Sequence, residues 1–195
     1  MKAKSGFRRF FLIAGGILIL LSMALLIWHQ ASIRLAESRA EKDTQIIRQL
    51  IPEIVNAVPE LRANNDMPVF SVNGTDYIGL LEYPKYNSVI PIQAEWTGQL
   101  QSPGRYKGSV YDRSMIVGLT NARGQYAFWK DNSVNEVLYF TDMTGSCYRY
   151  EIAEIQYREH ADDENLISDQ SDLTVFVKNL YALNEYIILH CTTHK

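Results

Sequence analysis

The spacing of apolar residues along the chain changes character twice. Phe10 to Trp28 is an unbroken charge-free run, and about 20 apolar residues in a helix cross a hydrocarbon core of about 30 Å. This predicts a transmembrane segment over residues 10–28, preceded by a short tail of residues 1–9. From Ala31 to about Arg62 the composition turns to Ala, Glu, Arg, Gln, Ile and Leu, with Ile46, Ile47, Leu50 and Ile54 near helical spacing. A helical stalk is expected over residues 31–65. Pro52 and Pro59 each lack an amide proton and restrict the residue before them, so the stalk should kink or split into two shorter helices.

After Asn64-Asn65 the pattern becomes short runs of Val, Ile, Tyr and Phe separated by Gly, Pro, Asn and Asp, as in antiparallel β structure. Met67 to Val72 and Thr75 to Glu82 should form a hairpin around Asn73-Gly74, a pair that tolerates positive φ at both centres of a type I′ turn. Asn73-Gly74-Thr75 also spells a glycosylation sequon, but the turn is the simpler reading. A second hairpin should pair Glu136 to Thr141 with Ser146 to Tyr157 around Asp142-Met143-Thr144-Gly145. Ser114 to Gly118, Leu173 to Lys178 and Tyr186 to Cys191 complete a set of about seven strands. Such a set over residues 66–195 predicts a mainly β domain, a closed barrel or a sandwich.

Charge decides orientation and excludes one class of partner. Lys2, Lys4, Arg8 and Arg9 precede the apolar run, which by the positive-inside rule keeps the tail in the cytoplasm and puts everything after Trp28 outside. The run is longer than a cleavable signal peptide's core and continues into Ile27, Trp28 and His29, so retention as a signal anchor in the cell membrane is expected. With 195 residues, 47% of them hydrophobic and 21% charged, the chain has room for one ordinary domain besides anchor and stalk. A net charge of -3 gives no reason to expect nucleic acid. Cys147 and Cys191 lack zinc-ligand spacing, leaving one disulfide or two free thiols open. No cofactor and no metal site is expected, since His190 and His194 on an extended strand would lie about 13 Å apart. The acidic run Asp162, Asp163, Glu164, Asp169 and Asp172 reads as a solvated loop.

Met67-Pro-Val-Phe through Asp76-Tyr-Ile-Gly, Ile90-Pro-Ile, Glu95-Trp96, Arg105-Tyr-Lys-Gly-Ser-Val-Tyr, Ser114-Met-Ile-Val-Gly, and Leu138-Tyr-Phe-Thr-Asp-Met-Thr-Gly with Tyr148-Arg-Tyr-Glu together resemble the sortases of Gram-positive bacteria. The resemblance runs from about residue 67 to 191. It implies an eight-stranded β-barrel and, for the family, membrane-anchored cysteine transpeptidation of sorting signals. That chemistry needs a cysteine thiolate to attack the scissile carbonyl, a histidine to protonate the leaving amine and an arginine to stabilise the oxyanion.

This chain departs from the pattern at all three positions. Where the family has an Ala-Gly-His-Asn-like segment it reads Val117-Gly118-Leu119-Thr120-Asn121, so Thr120 or Leu119 stands for the histidine. Neither can shuttle a proton near neutral pH. The strand expected to end in cysteine reads Asp172-Leu-Thr-Val-Phe-Val-Lys178, and the arginine position falls on Glu185. An amide formed on a lysine is stable, and a carboxylate has the sign of the oxyanion it would face. The resemblance therefore implies a catalytically inactive domain that binds or scaffolds cell-envelope or surface proteins. Lys178 and Glu185 should then approach within about 4 to 6 Å as a cross-strand ion pair.

A different alignment takes Ile187-Ile-Leu-His190-Cys191 as the cysteine strand, making Cys191 the nucleophile of an active sortase. Only four residues follow it, none of them arginine. Tyr126, Phe128 and Trp129 stand either in the core or across the mouth of the groove that a sorting peptide would occupy.

Overall fold

A computed structural model describes residues 3–57, 66–98, 102–121, 131–162, 166–168, 170–179 and 185–193. It divides into two compact units, Met1–Ala36 and Glu37–Lys195. The helix α1, Ala3–Leu50, is continuous. Its apolar segment leaves Leu18, Ile19, Leu20, Leu25, Leu26 and Trp28 exposed, and the helix is long and apolar enough to cross a membrane.

The stalk's helix ends just before Pro52. Helix α1 stops at Leu50, Ile51 closes the last turn through its amide to the Ile47 carbonyl at 2.9 Å, and Pro52 follows. The chain then extends as β1, Val55–Ala57, instead of resuming a helix. Pro59 and the rest of residues 58–65 lie outside the described residues, as do Tyr126, Phe128, Trp129, Asp163, Glu164, Asp169 and His194.

The other strands are β2 (Phe70–Val72), β3 (Thr75–Tyr83), β4 (Ser88–Gln93), β5 (Gly104–Lys107), β6 (Met115–Asn121), β7 (Val137–Asp142), β8 (Ser146–Arg158), β9 (Leu173–Asn179) and β10 (Tyr186–Thr193). Eight of them close a barrel in the order β8-β10-β9-β6-β5-β4-β3-β7 and back to β8, while β1 adds to β8 and β2 to β3. Both predicted hairpins are present. Asn73 and Gly74 take φ of 52° and 79° between the paired Val72 and Thr75. The β7–β8 turn is held by the buried Asp142, whose Oδ1 accepts from the amides of Thr144 at 2.8 Å and Ser146 at 3.0 Å.

Alternation along the strands sorts residues to two faces. The interior holds Ile78, Leu81, Ile90, Ile92, Val117, Leu119, Phe140, Tyr150, Val175 and Leu189, all with no exposed surface. Within the second unit, the last turns of α1 pack on the outside of β2 and β3, where Ile47 and Ile51 meet Val72, Tyr77, Leu80 and Met143. Asp43 fixes this contact, its carboxylate accepting from Tyr77 Oη at 2.7 Å and Asn73 Nδ2 at 2.8 Å. Desolvation, with the Asp43 carboxylate next in effect, pushes the Tyr77 phenol pKa well up. The sequon asparagine thus spends its amide on the helix.

Candidate functional site

The parallel pairing of β6 with β9 is what assembles the site. It sets Met115 beside Leu173, Val117 beside Val175, and Leu119 beside Val177, all directed into the barrel. The intervening residues Ile116, Gly118 and Thr120 therefore share the outer face with Thr174, Phe176 and Lys178. Antiparallel β10 extends the rows, with His190 opposite Thr174, Ile188 opposite Phe176 and Tyr186 opposite Lys178. Three rows result: Ile116–Thr174–His190, Gly118–Phe176–Ile188 and Thr120–Lys178–Tyr186.

Of the two residues considered for the histidine position, Thr120 lies beside Lys178 on this outer face, whereas Leu119 belongs to the interior. Lys178 is half-buried. Glu185 bonds to Asn179, the neighbour of Lys178. Its carbonyl accepts the Asn179 amide at 2.9 Å and its carboxylate accepts Asn179 Nδ2 at 2.7 Å. The pair that closes the β9–β10 hairpin is thus Asn179–Glu185, one step beyond Lys178–Tyr186, and a one-residue step sends the side chain to the opposite face. Among the described residues no carboxylate comes within 4.0 Å of Lys178 Nζ. The residue that meets Lys178 from β10 is Tyr186.

Cys191 is directed inward opposite Leu173, with 0% of its surface exposed. Burial pushes its thiol pKa well up, the reverse of what a nucleophilic thiolate needs. Cys147 is a second free thiol, half-buried on β8, and burial raises its pKa too. Asp172, from the acidic run, accepts from the amide and hydroxyl of Thr193 at 2.7 and 2.6 Å, so it ties β9 to β10 and is not simply solvated.

Trp96 covers the middle row. Its ring meets Phe176 edge-on at 4.7 Å between centroids, and Tyr106 stands 6.1 Å from Trp96 and 5.7 Å from Phe176. Tyr186 closes the group 6.4 Å from Phe176. A cavity of about 170 Å³ lies on the β5–β6–β9 face, with Ile116, Leu166, Ser171 and Thr174 in its wall. Ser171 Oγ lies 3.0 Å from Thr174 Oγ1, which lies 3.4 Å from His190 Nδ1. Burial lowers the His190 pKa, against the nearby Glu154 carboxylate that raises it. Nothing local in the sequence marked Trp96 as part of the site. The available signal was Gly118, a strand-interior glycine, which often denotes close approach of another group.

No protein-family profile matches the sequence, and no curated protein matches it. Solved structures do. Sortase C1 from Streptococcus agalactiae is 17% identical over 64% of this chain and 71% of that chain, with a TM-score of 0.53. Sortase A from Corynebacterium diphtheriae is 16% identical over 83% of this chain and 85% of that chain, with a TM-score of 0.52. Sortase C from Clostridium perfringens SM101 is 19% identical over 68% and 78% of the two chains, with a TM-score of 0.50. At these identities the likeness is one of architecture. The chain carries, after an N-terminal helix long and apolar enough to cross a membrane, a closed barrel of the sortase fold.

Proposed function

We propose that this is a membrane-anchored sortase-like domain at the envelope of a Gram-positive cell, catalytically inactive, serving as a binding or scaffolding module in the anchoring of surface proteins. The observation that carries the reading is the row Thr120–Lys178–Tyr186 at the ends of β6, β9 and β10. The resemblance assigns a histidine and a cysteine to its first two members. A threonine there has no proton to exchange near neutral pH, and the ammonium of Lys178 has no lone pair for attack until it loses a proton. At the position the resemblance gives to arginine, Glu185 has a carboxylate of the same sign as the oxyanion it would face. The Trp96–Phe176 contact beside this row supports the same reading, because side chains of the chain itself fill the outer face there.

The full chain in detergent micelles, mixed with sorting-signal peptides and an amine acceptor, should give neither cleavage nor transfer. Turnover that disappeared in Cys191→Ala would establish an active sortase instead. In the proposed topology residues 10–28 form a retained signal anchor, the tail is cytoplasmic and the barrel is extracellular. Protease added to intact cells should then digest the barrel and leave residues 1–9 protected. Recovery of processed protein from the medium would refute the anchor.

A further inference from the structure

The row Thr120–Lys178–Tyr186 does not end at Tyr186. On its far side Tyr186 stands opposite Arg158 of β8, so the row continues onto a fourth strand and carries two cations, one on each side of a tyrosine. Neighbouring strands lie about 4.8 Å apart, which puts the Lys178 and Arg158 backbones roughly 10 Å from each other and both side-chain heads within reach of the space over Tyr186. No acid belongs to the row. Among the described residues no carboxylate comes within 4.0 Å of Lys178 Nζ or of the Arg158 guanidinium. The carboxylate next to Tyr186 in sequence, that of Glu185, accepts Asn179 Nδ2 at 2.7 Å.

Two of the three donors are held in place. Gln156 Nε2 donates to Glu154 Oε1 at 2.9 Å and Arg158 Nε donates to Gln156 Oε1 at 3.2 Å. This chain of bonds along the outer face of β8 fixes one edge of the guanidinium and leaves its two terminal nitrogens without an acceptor among the described residues. Tyr186 is packed beside Phe176, ring centroids 6.4 Å apart, and its hydroxyl has no bond to a described residue. Lys178 is half-buried. A cation withdrawn from water without a counter-charge is costly, and a second cation across Tyr186 adds repulsion, unless an anion joins the two. With a net charge of -3 over the chain, this concentration of positive charge is local.

We propose that Lys178, Tyr186 and Arg158, at the ends of β9, β10 and β8, form a binding site for a phosphate monoester. The choice of anion follows from the donors. A primary ammonium, a phenol O–H and the free edge of a guanidinium come from three successive strands and approach from different directions, and the oxygens of a tetrahedral phosphate can meet each of them separately. A carboxylate offers two oxygens in one plane, which suits a single arginine fork. Two cations also match the charge of a monoester, about -1.5 to -2 at pH 7. The proposal rests on the reading of this barrel as a non-enzymatic binding module and adds the chemical class of what is bound.

The test uses the full chain in detergent micelles with glycerol 3-phosphate as the probe, followed by phosphorus NMR and titration calorimetry. The parent chain should bind it saturably, and more tightly as pH rises through about 6, where the monoester takes its second negative charge. Lys178→Gln and Arg158→Gln should each weaken binding at least about tenfold, since each removes a charge-assisted hydrogen bond, and Tyr186→Phe should weaken it about threefold. Lys178→Arg, which keeps the charge, should recover part of the loss. Phosphatidic acid mixed into the micelles presents the same group at a lipid surface: binding to it alone would assign the ligand to a headgroup, and binding to both would assign it to a phosphate in solution. No saturable binding to either probe, displacement by equimolar acetate, or an affinity unchanged in Lys178→Gln and Arg158→Gln overturns the proposal. Arg158 is exposed, so its variant reads the site even if Lys178→Gln does not fold. None of these readouts involves peptide cleavage, so a failure here and a failure of the non-enzymatic reading are separately visible.

Discussion

The two faces of the β6–β9–β10 sheet share one backbone and answer to different demands. The inward face is Met115, Val117, Leu119, Leu173, Val175, Val177, Ile187, Leu189 and Cys191, without a single charged or hydroxyl group. The outward face runs from Ile116, Thr174 and His190 through Gly118, Phe176 and Ile188 to Thr120, Lys178 and Tyr186. Burying an aliphatic side chain is worth roughly 1.5–3 kcal/mol, so the inward residues hold the barrel closed whatever stands opposite them. The row where the resemblance looks for catalysis lies on the other face, at strand ends, outside the interior cluster. Residues at those strand ends can therefore differ while the inward face keeps the barrel closed.

The sharpest way to break this comparison is to truncate an inward residue. Leu189→Ala should destabilise the protein by about 2–5 kcal/mol through lost burial and a residual cavity, read as a lower midpoint in denaturant. A cost near zero would mean that this face does not carry the fold.

His190 tests the outward face. It is held neutral by burial, with Thr174 facing it from β9 and Glu154 and Arg158 from β8. Since its folded pKa is lowered, its contribution to stability is complete above the unfolded value of about 6.5 and is lost as pH falls through the folded value. The melting temperature of the parent chain should fall over that range relative to His190→Gln. Parallel pH profiles for the two proteins would remove this titration from the account.

The smallest effect is expected at Lys178. Lys178→Ala should change stability by no more than about 0.5 kcal/mol, because the side chain is half-buried and makes no ion pair with a described carboxylate. A loss comparable to that of Leu189→Ala would mean that the row at the strand ends is structural after all.

What could be read in the sequence followed from local chemistry. Asn73-Gly74 and Asp142-Met143-Thr144-Gly145 fixed their turns within four residues of chain, and both hairpins formed as expected. The strand β4 was harder, since Pro91 sits in its centre. Its missing amide is tolerated because β4 pairs fully with β3 but touches β5 only at Gln93 and Gly104. The three residues of β1 and the four of β5 are too short for a period to show. That Lys178 stands opposite Tyr186 while Glu185 bonds to Asn179 depends on how the β9–β10 hairpin closes and not on either strand alone. Trp96 was out of reach for a similar reason: its partner Gly118 is brought to it only by the β5–β6 pairing and the fold of the intervening chain.

The parallel register of β6 and β9 ends with Asn121 directly beside Asn179. Two segments distant in sequence thus depart from adjacent points on one rigid rim, next to Thr120 and Lys178. Connections anchored in this way can be lengthened, shortened or exchanged without disturbing the strands that launch them. For an engineer this makes the rim a pair of grafting points. For a lineage it makes whatever follows these two strand ends free to be rewritten while the barrel is inherited unchanged.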